Sequence, residues 1–228
     1  MKLSLYPNHL EFTPEEQMAL DAWMLMRSEE SASIGFRCYQ MANTVTIGRS
    51  QAGLSTHSDR CLDGGLKWVR RPTGGGTVCH GNDLIYALSF PRSHDLYSLK
   101  LLDSYQTLHA FFSQVLRHFS LETVLHSERV DDLPRHCFDA PNQYDLLSAD
   151  SGKKIAGSAI KKSKAGILVQ GSICCQLPLE EFFEQSRASM IEYWTLEPEK
   201  ILLESVRKCC HWLDLCQLYK SDQWNFSR

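Results

Sequence analysis

The stretch Arg70-Arg71-Pro72-Thr73-Gly74-Gly75-Gly76-Thr77-Val78-Cys79-His80 constrains the fold more than any other part of the chain. A strand candidate over 66–71 stops at Pro72, three glycines follow, and strand-like residues resume around Val78. Glycines let the backbone approach a bound group with no side chain in the way. Their N–H groups can hold an anion or a polarised carbonyl. Arg70 and Arg71 could add charge-assisted contacts to a phosphate or carboxylate. No Gly-Lys-Ser/Thr follows and no helix opens after the run, so neither a P-loop nor a dinucleotide-binding turn fits. A wide hairpin turn is the plain alternative.

Around this motif the pattern mixes short strands with amphipathic helices. A helix is expected from about 14 to 28: Thr13 is a good N-cap, Pro14 suits the first turn and Glu16 completes a capping box. Met18, Ala22, Leu25 and Met26 give it an apolar face. Residues 36–40 and 45–49 read as strands joined by a turn at 41–44, and 84–90 as another strand. Leu102, Tyr105, Leu108, Phe112, Val115 and Phe119 form the stripe of a helix over about 98–119. Strands are expected at 144–147, 154–160 and 167–174, and helices at 179–190 and 198–219. The fold class is therefore α/β (α+β), a mixed, mainly antiparallel sheet flanked by helices.

Composition narrows the function. With 228 residues, 43% hydrophobic and 22% charged, the chain reads as one globular domain. Twenty-four basic against 27 acidic residues argue against a nucleic-acid binder that relies on bulk charge. No apolar run approaches the roughly 18 residues of a membrane span, and the first residues do not read as a signal peptide. The nine cysteines are odd in number and form no CxxC, so reduced thiols in a cytoplasmic protein are expected. Cys209 and Cys216 are assigned to the core face of the last helix, with Leu202 and Leu213.

Two further stretches can carry chemistry. In Lys153-Lys154-Ile155-Ala156-Gly157-Ser158-Ala159, small residues leave space along a strand. A lysine at its mouth can polarise a carbonyl or activate a nucleophile; a solvated lysine is the plain alternative. In His136-Cys137-Phe138-Asp139-Ala140-Pro141, a cysteine in a polar loop is a candidate nucleophile, with His136 or Lys154 as the neighbouring cation. No metal-ligand spacing is met, and no metal is expected. Lys153, Lys154, Lys161, Lys162 and Lys164 read as a solvated edge or as a docking patch for an acidic partner.

Taken in order, Met18-Ala19-Leu20-Asp21, the glycine stretch 70–80, Cys137-Phe138-Asp139-Ala140-Pro141, Lys154-Ile155-Ala156-Gly157-Ser158-Ala159 and Gly171-Ser172-Ile173 resemble the lipoate–protein ligase and octanoyltransferase family. The resemblance spans roughly residues 15–185. It implies a catalytic domain of the biotin/lipoate protein ligase type, with C-terminal helices over 179–219 and no accessory domain within 1–228. It implies attachment of a lipoyl or octanoyl group to one lysine of a lipoyl domain, in a 2-oxoacid dehydrogenase E2 subunit or a glycine cleavage H protein. By the same resemblance Lys154 is the catalytic lysine, and the acyl or acyl-adenylate site draws on Arg70, Arg71, Thr73, Gly74, Gly75, Gly76, His80, Gly157, Ser158, Ala159 and Gly171. Two mechanisms stay open: an ATP- and Mg-using ligase acting on the free acid, and a Cys137-dependent transferase taking octanoate from acyl carrier protein. Gln170 departs from the histidine that many relatives place before Gly-Ser. Biotin attachment is a further alternative, although the arginine-rich biotin-ligase glycine motif is replaced here. A non-catalytic acyl- or lipoyl-domain-binding protein is the last.

Overall fold

The first helix forms where its capping signals stand. Glu16 N–H donates to Thr13 Oγ1 at 3.3 Å, and Thr13 N–H donates back to Glu16 Oε2 at 2.9 Å. The pair satisfies two otherwise orphaned donors. The computed structural model describes residues 1–7, 12–51, 65–128 and 137–225.

In chain order the elements are β1 (Lys2–Leu5), α1 (Pro14–Ser31), β2 (Ser33–Tyr39), β3 (Thr44–Ile47), β4 (Lys67–Arg70), β5 (Val78–His80), β6 (Leu84–Phe90), α2 (Asp95–Ser98), α3 (Leu101–Arg117), β7 (Thr123–Leu125), β8 (Leu146–Ser148), β9 (Lys154–Ser163), β10 (Gly166–Ile173), α4 (Leu179–Trp194), β11 (Glu197–Lys200), α5 (Leu203–Arg207), α6 (Cys210–Lys220) and α7 (Asp222–Asn225). A large sheet runs β11-β1-β2-β6-β10-β9-β8-β7, and a small one runs β4-β3-β5. In the large sheet β1 is parallel to both neighbours, and all other adjacent pairs are antiparallel. The fold is thus mixed α+β with a mainly antiparallel sheet, as expected.

Alternation along the strands divides the core. On β6, Leu84, Tyr86, Leu88 and Phe90 join the cluster that packs on α3 and α4, with Phe112 and Phe182. Ile85 and Ala87 face the other way, toward Met18, Trp23 and Met24 of α1. Helix α6 closes that second layer through Trp212, Cys216 and Tyr219.

Five expectations are corrected. Strands β2 and β3 do not form a hairpin: β2 lies in the large sheet and β3 in the small one. The glycine run is not a hairpin turn either, because β4 and β5 pair with opposite edges of β3 rather than with each other. The helix expected over 198–219 is broken into β11, α5 and α6. Pro198 biases its predecessor to extended backbone, and residues 197–200 instead line up along β1, at the sheet edge where a missing N–H is tolerated. Leu202 and Leu213, assigned to a core face, are exposed, while Cys216 is buried and Cys209 half-buried outside the helix. Finally, Cys79 is disulfide-bonded, whereas a set of reduced thiols was expected; the other described cysteines are free.

Candidate active site

A cavity of about 460 Å³ opens between the glycine turn of the small sheet, strands β9 and β10 of the large sheet and the first turns of α3. Its surface is mostly apolar, with Met18, Met41, Ile85 and Leu101 contributing, and charged groups from Arg71, Asp145 and Lys154 also line it. That is the usual composition of a small-ligand site.

The glycine turn is shaped by Arg71. The side chain is buried, and its guanidinium donates to Gly74 O at 2.6 Å, Gly76 O at 2.8 Å and Thr46 O at 3.3 Å. The turn therefore wraps round its own arginine. Gly75 sits at φ +88°, a region that a side chain disfavours. A Cβ there would also meet Arg71 Nη2 at 2.9 Å and stand 3.8 Å from Cys137 Sγ. The Cys137 sulphur thus lies over the glycine turn beside the Arg71 guanidinium. Burial lowers the pKa of Arg71, and the hydrogen-bonding neighbour Cys137 opposes that shift.

Cys137 is held from the backbone, its N–H donating to Thr77 O at 2.9 Å. Lys154 opens strand β9 and folds back. Its ammonium donates to Cys137 O, pairs with Asp145 Oδ2 at 2.6 Å and stands 5.0 Å from the Phe138 ring centre. Both charged side chains of this pair are about 95% buried, with exposures of 5% and 6%. Asp145 Oδ2 also accepts from Asn142 N–H at 2.6 Å. Room for the pair comes from Gly157: a Cβ there would stand 2.8 Å from Lys154 Cε and 2.9 Å from Asp145 Oδ1.

The cavity gathers most of the residues singled out in the sequence. Lys154, Cys137, Arg71, Gly75, Gly76, His80, Gly157, Ser158, Ala159 and Gly171 all line it. Arg70, Thr73 and Gly74 do not. Arg70 points the other way, as adjacent strand residues must. Its guanidinium donates to Gly48 O, Arg49 O, Gln51 O and Asn225 O, away from the cavity. Thr73 donates to Gln170 Oε1 at 2.7 Å. Gln170 in turn donates to Asp21 Oδ2 at 2.6 Å and so ties the glycine turn to α1. His80 is fixed between Asp83 Oδ2 (2.7 Å) and Thr46 Oγ1 (2.9 Å). His136 lies outside the described residues. The lysine cluster is not a uniform solvated edge, since Lys154 is turned inward.

Asp145, Tyr105 and Phe138 were not foreseen. Asp145 falls within the strand expected at 144–147. It stands instead just before β8, in a turn.

Residues 13–207 match the family described as "Lipoyl protein ligase A/B catalytic domain". The chain belongs to that family. Among curated relatives, it is 32% identical over 183 residues to octanoyltransferase LipM of Staphylococcus epidermidis, an alignment covering 75% of this chain and 65% of the relative. It is 31% identical over 192 residues to octanoyltransferase LipM of Macrococcus caseolyticus, covering 79% and 68%. This chain thus spans about 65% of the length of the Staphylococcus epidermidis protein. Among solved structures, lipoate-protein ligase A bound with ATP superposes with a TM-score of 0.74 at 18% identity over 99% of both chains. The bi-partite lipoate protein ligase of Thermoplasma acidophilum, studied with its E2 lipoyl domain, gives 0.72 at 16% identity over 99% of this chain and 96% of that one. At such identities the structural matches speak for the shared fold. No helix among the described residues is long and apolar enough to cross a membrane.

Proposed function

We propose that this chain transfers an octanoyl group to a lysine of a lipoyl domain through a thioester on Cys137. One observation carries the reading: the Cys137 thiol, the Arg71 guanidinium and the Lys154 ammonium converge on one apolar cavity. An ATP-dependent ligase has no need of a thiol at that wall, and the curated relatives named above carry octanoyltransferase names.

The chemistry proceeds in two exchanges. The Cys137 thiol gives up its proton and attacks the carbonyl of octanoyl-carrier protein; the new C–S bond forms as the carrier C–S bond breaks, and the proton ends on the departing carrier sulphur. The acceptor lysine, as free amine, then attacks the Cys137 thioester; the C–N bond forms, the C–S bond breaks, and the amine proton ends on the Cys137 sulphur. Arg71 faces the sulphur while it carries negative charge. Lys154, held rigidly by Asp145, stabilises the oxyanion of each tetrahedral intermediate in a site with little water. The apolar walls take the acyl chain, and the glycine turn lets the carbonyl approach backbone N–H groups. ATP and magnesium have no part in this scheme. A lipoyl group on the same thioester would follow the same route, and the acceptor can be an E2 lipoyl domain or a glycine cleavage H protein.

The test is intact-mass analysis with octanoyl-carrier protein and an acceptor lipoyl domain, without ATP. The wild type should show an octanoyl adduct on itself and then on the acceptor. Cys137→Ser should show neither. Full activity of Cys137→Ser with ATP and free acid would replace the thioester route with the ligase route.

A further inference from the structure

The Lys154–Asp145 pair is carried by two separate segments, the turn before β8 and strand β9. The two segments pair as β8 and β9, but the register shifts between Leu146 and Leu147, beside the ion pair, so the ladder is irregular where Asp145 and Lys154 meet. One buried side chain from a third element bridges them. His109, on α3 and 1% exposed, meets Tyr144 O through Nδ1 at 2.6 Å and Ser158 Oγ through Nε2 at 2.8 Å. Tyr144 is the residue before Asp145. Ser158 is the residue after Gly157, whose bare Cα makes the room for the pair.

A backbone carbonyl only accepts, so Nδ1 carries the proton. Nε2 of the neutral ring then accepts from the Ser158 hydroxyl. Burial is the main influence on the ring and favours that neutral form. Tyr144 adds a second sign of constraint: it sits at φ +70°, a left-handed conformation uncommon for a bulky residue. Such a residue persists where its surroundings over-determine it. Here Tyr144 N–H donates to His126 O at 2.7 Å on one side, and His109 takes the carbonyl on the other.

We propose that His109 is a positioning residue for acyl transfer, an imidazole strut that locks the Asp145 turn to strand β9 and thereby aims the Lys154 ammonium into the cavity. The inference rests on the acyl-transfer reading for its kinetic consequence. Its structural consequence, the immobilised lysine, stands without it. Displacing a catalytic group by about 1 Å costs roughly 100-fold in rate.

The experiment compares His109→Phe, which keeps a planar ring and loses both hydrogen bonds, with His109→Asn, whose amide nitrogen can stand in for Nδ1. Both are assayed for octanoyl transfer, for melting temperature and for labelling of Lys154 by an amine-reactive reagent, read by peptide mass. Expected are a kcat loss of roughly 10- to 100-fold in the Phe variant, a KM near that of the wild type, partial recovery in the Asn variant, and faster Lys154 labelling in the Phe variant. Wild-type kcat and labelling in the Phe variant would overturn the proposal. So would an Asn variant no better than Phe, or a loss that merely follows melting temperature. If the wild type transfers no octanoate, the acyl-transfer reading fails. The labelling arm then decides the strut alone: faster labelling upholds it and equal labelling sinks it.

Discussion

Two buried ion pairs in this molecule look alike and are built for different ends. In the α1–β2 layer, Arg37 and Asp21 are both fully buried, 2.9 Å apart. Both Asp21 oxygens are occupied by protein groups: Oδ1 by Arg37, and Oδ2 by Tyr39 O–H at 2.8 Å and Gln170 at 2.6 Å. Burial raises the pKa of Asp21, and Arg37 and these hydrogen bonds pull it back. At the cavity, Lys154 and Asp145 are as close, at 2.6 Å, but the pair borders a space where a substrate can stand. A buried charge enclosed by fixed partners is committed to the scaffold, whereas one with an open neighbour is left available to an occupant of the cavity. Burial alone does not separate them.

The sharpest way to break this contrast is to exchange the damage. Lys154→Ala should reduce octanoyl transfer by roughly 10²- to 10³-fold or more, since it removes an oxyanion donor. Its melting temperature should fall less than that of Asp21→Asn, because Asp145 borders the cavity and water can enter beside it once the ammonium is gone. An undiminished transfer rate would show that both pairs are scaffold.

Asp21→Asn should do the reverse. It leaves the Arg37 charge uncompensated in the core, for a loss of ~3–5 kcal/mol in a denaturant titration. Transfer measured well below the melting point should stay within a few-fold of wild type. The double substitution Asp21→Leu with Arg37→Met should recover most of that stability, because an apolar pair of similar volume avoids the buried charge. If the double variant is as weak as the single one, Arg37 and Asp21 contribute more than a compensated charge.

A smaller effect is expected at Gln170, which connects the scaffold pair to the glycine turn. Gln170→Leu strips partners from Thr73 and Asp21, and should cost ~1–3 kcal/mol by differential melting. A loss of transfer larger than the loss of stability would mean that the scaffold network also sets the height of the turn.

The smallest effect is a pH dependence at His109. Burial holds its pKa below the ordinary 6.5, so between the folded value and 6.5 the unfolded chain binds more protons. Stability from this group is therefore full above about pH 6.5 and is lost as pH falls through the folded value. The slope is at most about 1.4 kcal/mol per pH unit. Melting curves from pH 7.5 to 5 should fall less steeply for His109→Phe than for the wild type.

The contrast also explains what the sequence could reveal. The capping box at Thr13 and Glu16, the strand at 84–90 and the middle of the α3 stripe are local patterns readable from the sequence, whereas Leu102 of that stripe is exposed and Phe119 lies beyond the helix. Lys154 and Cys137 stood out because their neighbours are small residues or polar loop. Which of Arg70 and Arg71 faces the cavity was not readable, because adjacent strand residues point apart and the side of β4 that holds the cavity depends on the second sheet. Asp145 escaped for a similar reason: its position depends on a left-handed tyrosine and on a histidine from a distant helix. The C-terminal segment misled because leucines at helical spacing suggested a core face, while β1 offered an edge that recruited residues 197–200.

The cavity lies in the seam between the two sheets, with the glycine turn on one bank and Lys154 on the other. An occupant of that seam is also a rivet. An acylated Cys137 should therefore tighten the whole molecule against protease digestion, and each discharged product would hand back a slightly looser enzyme, ready to admit the next donor.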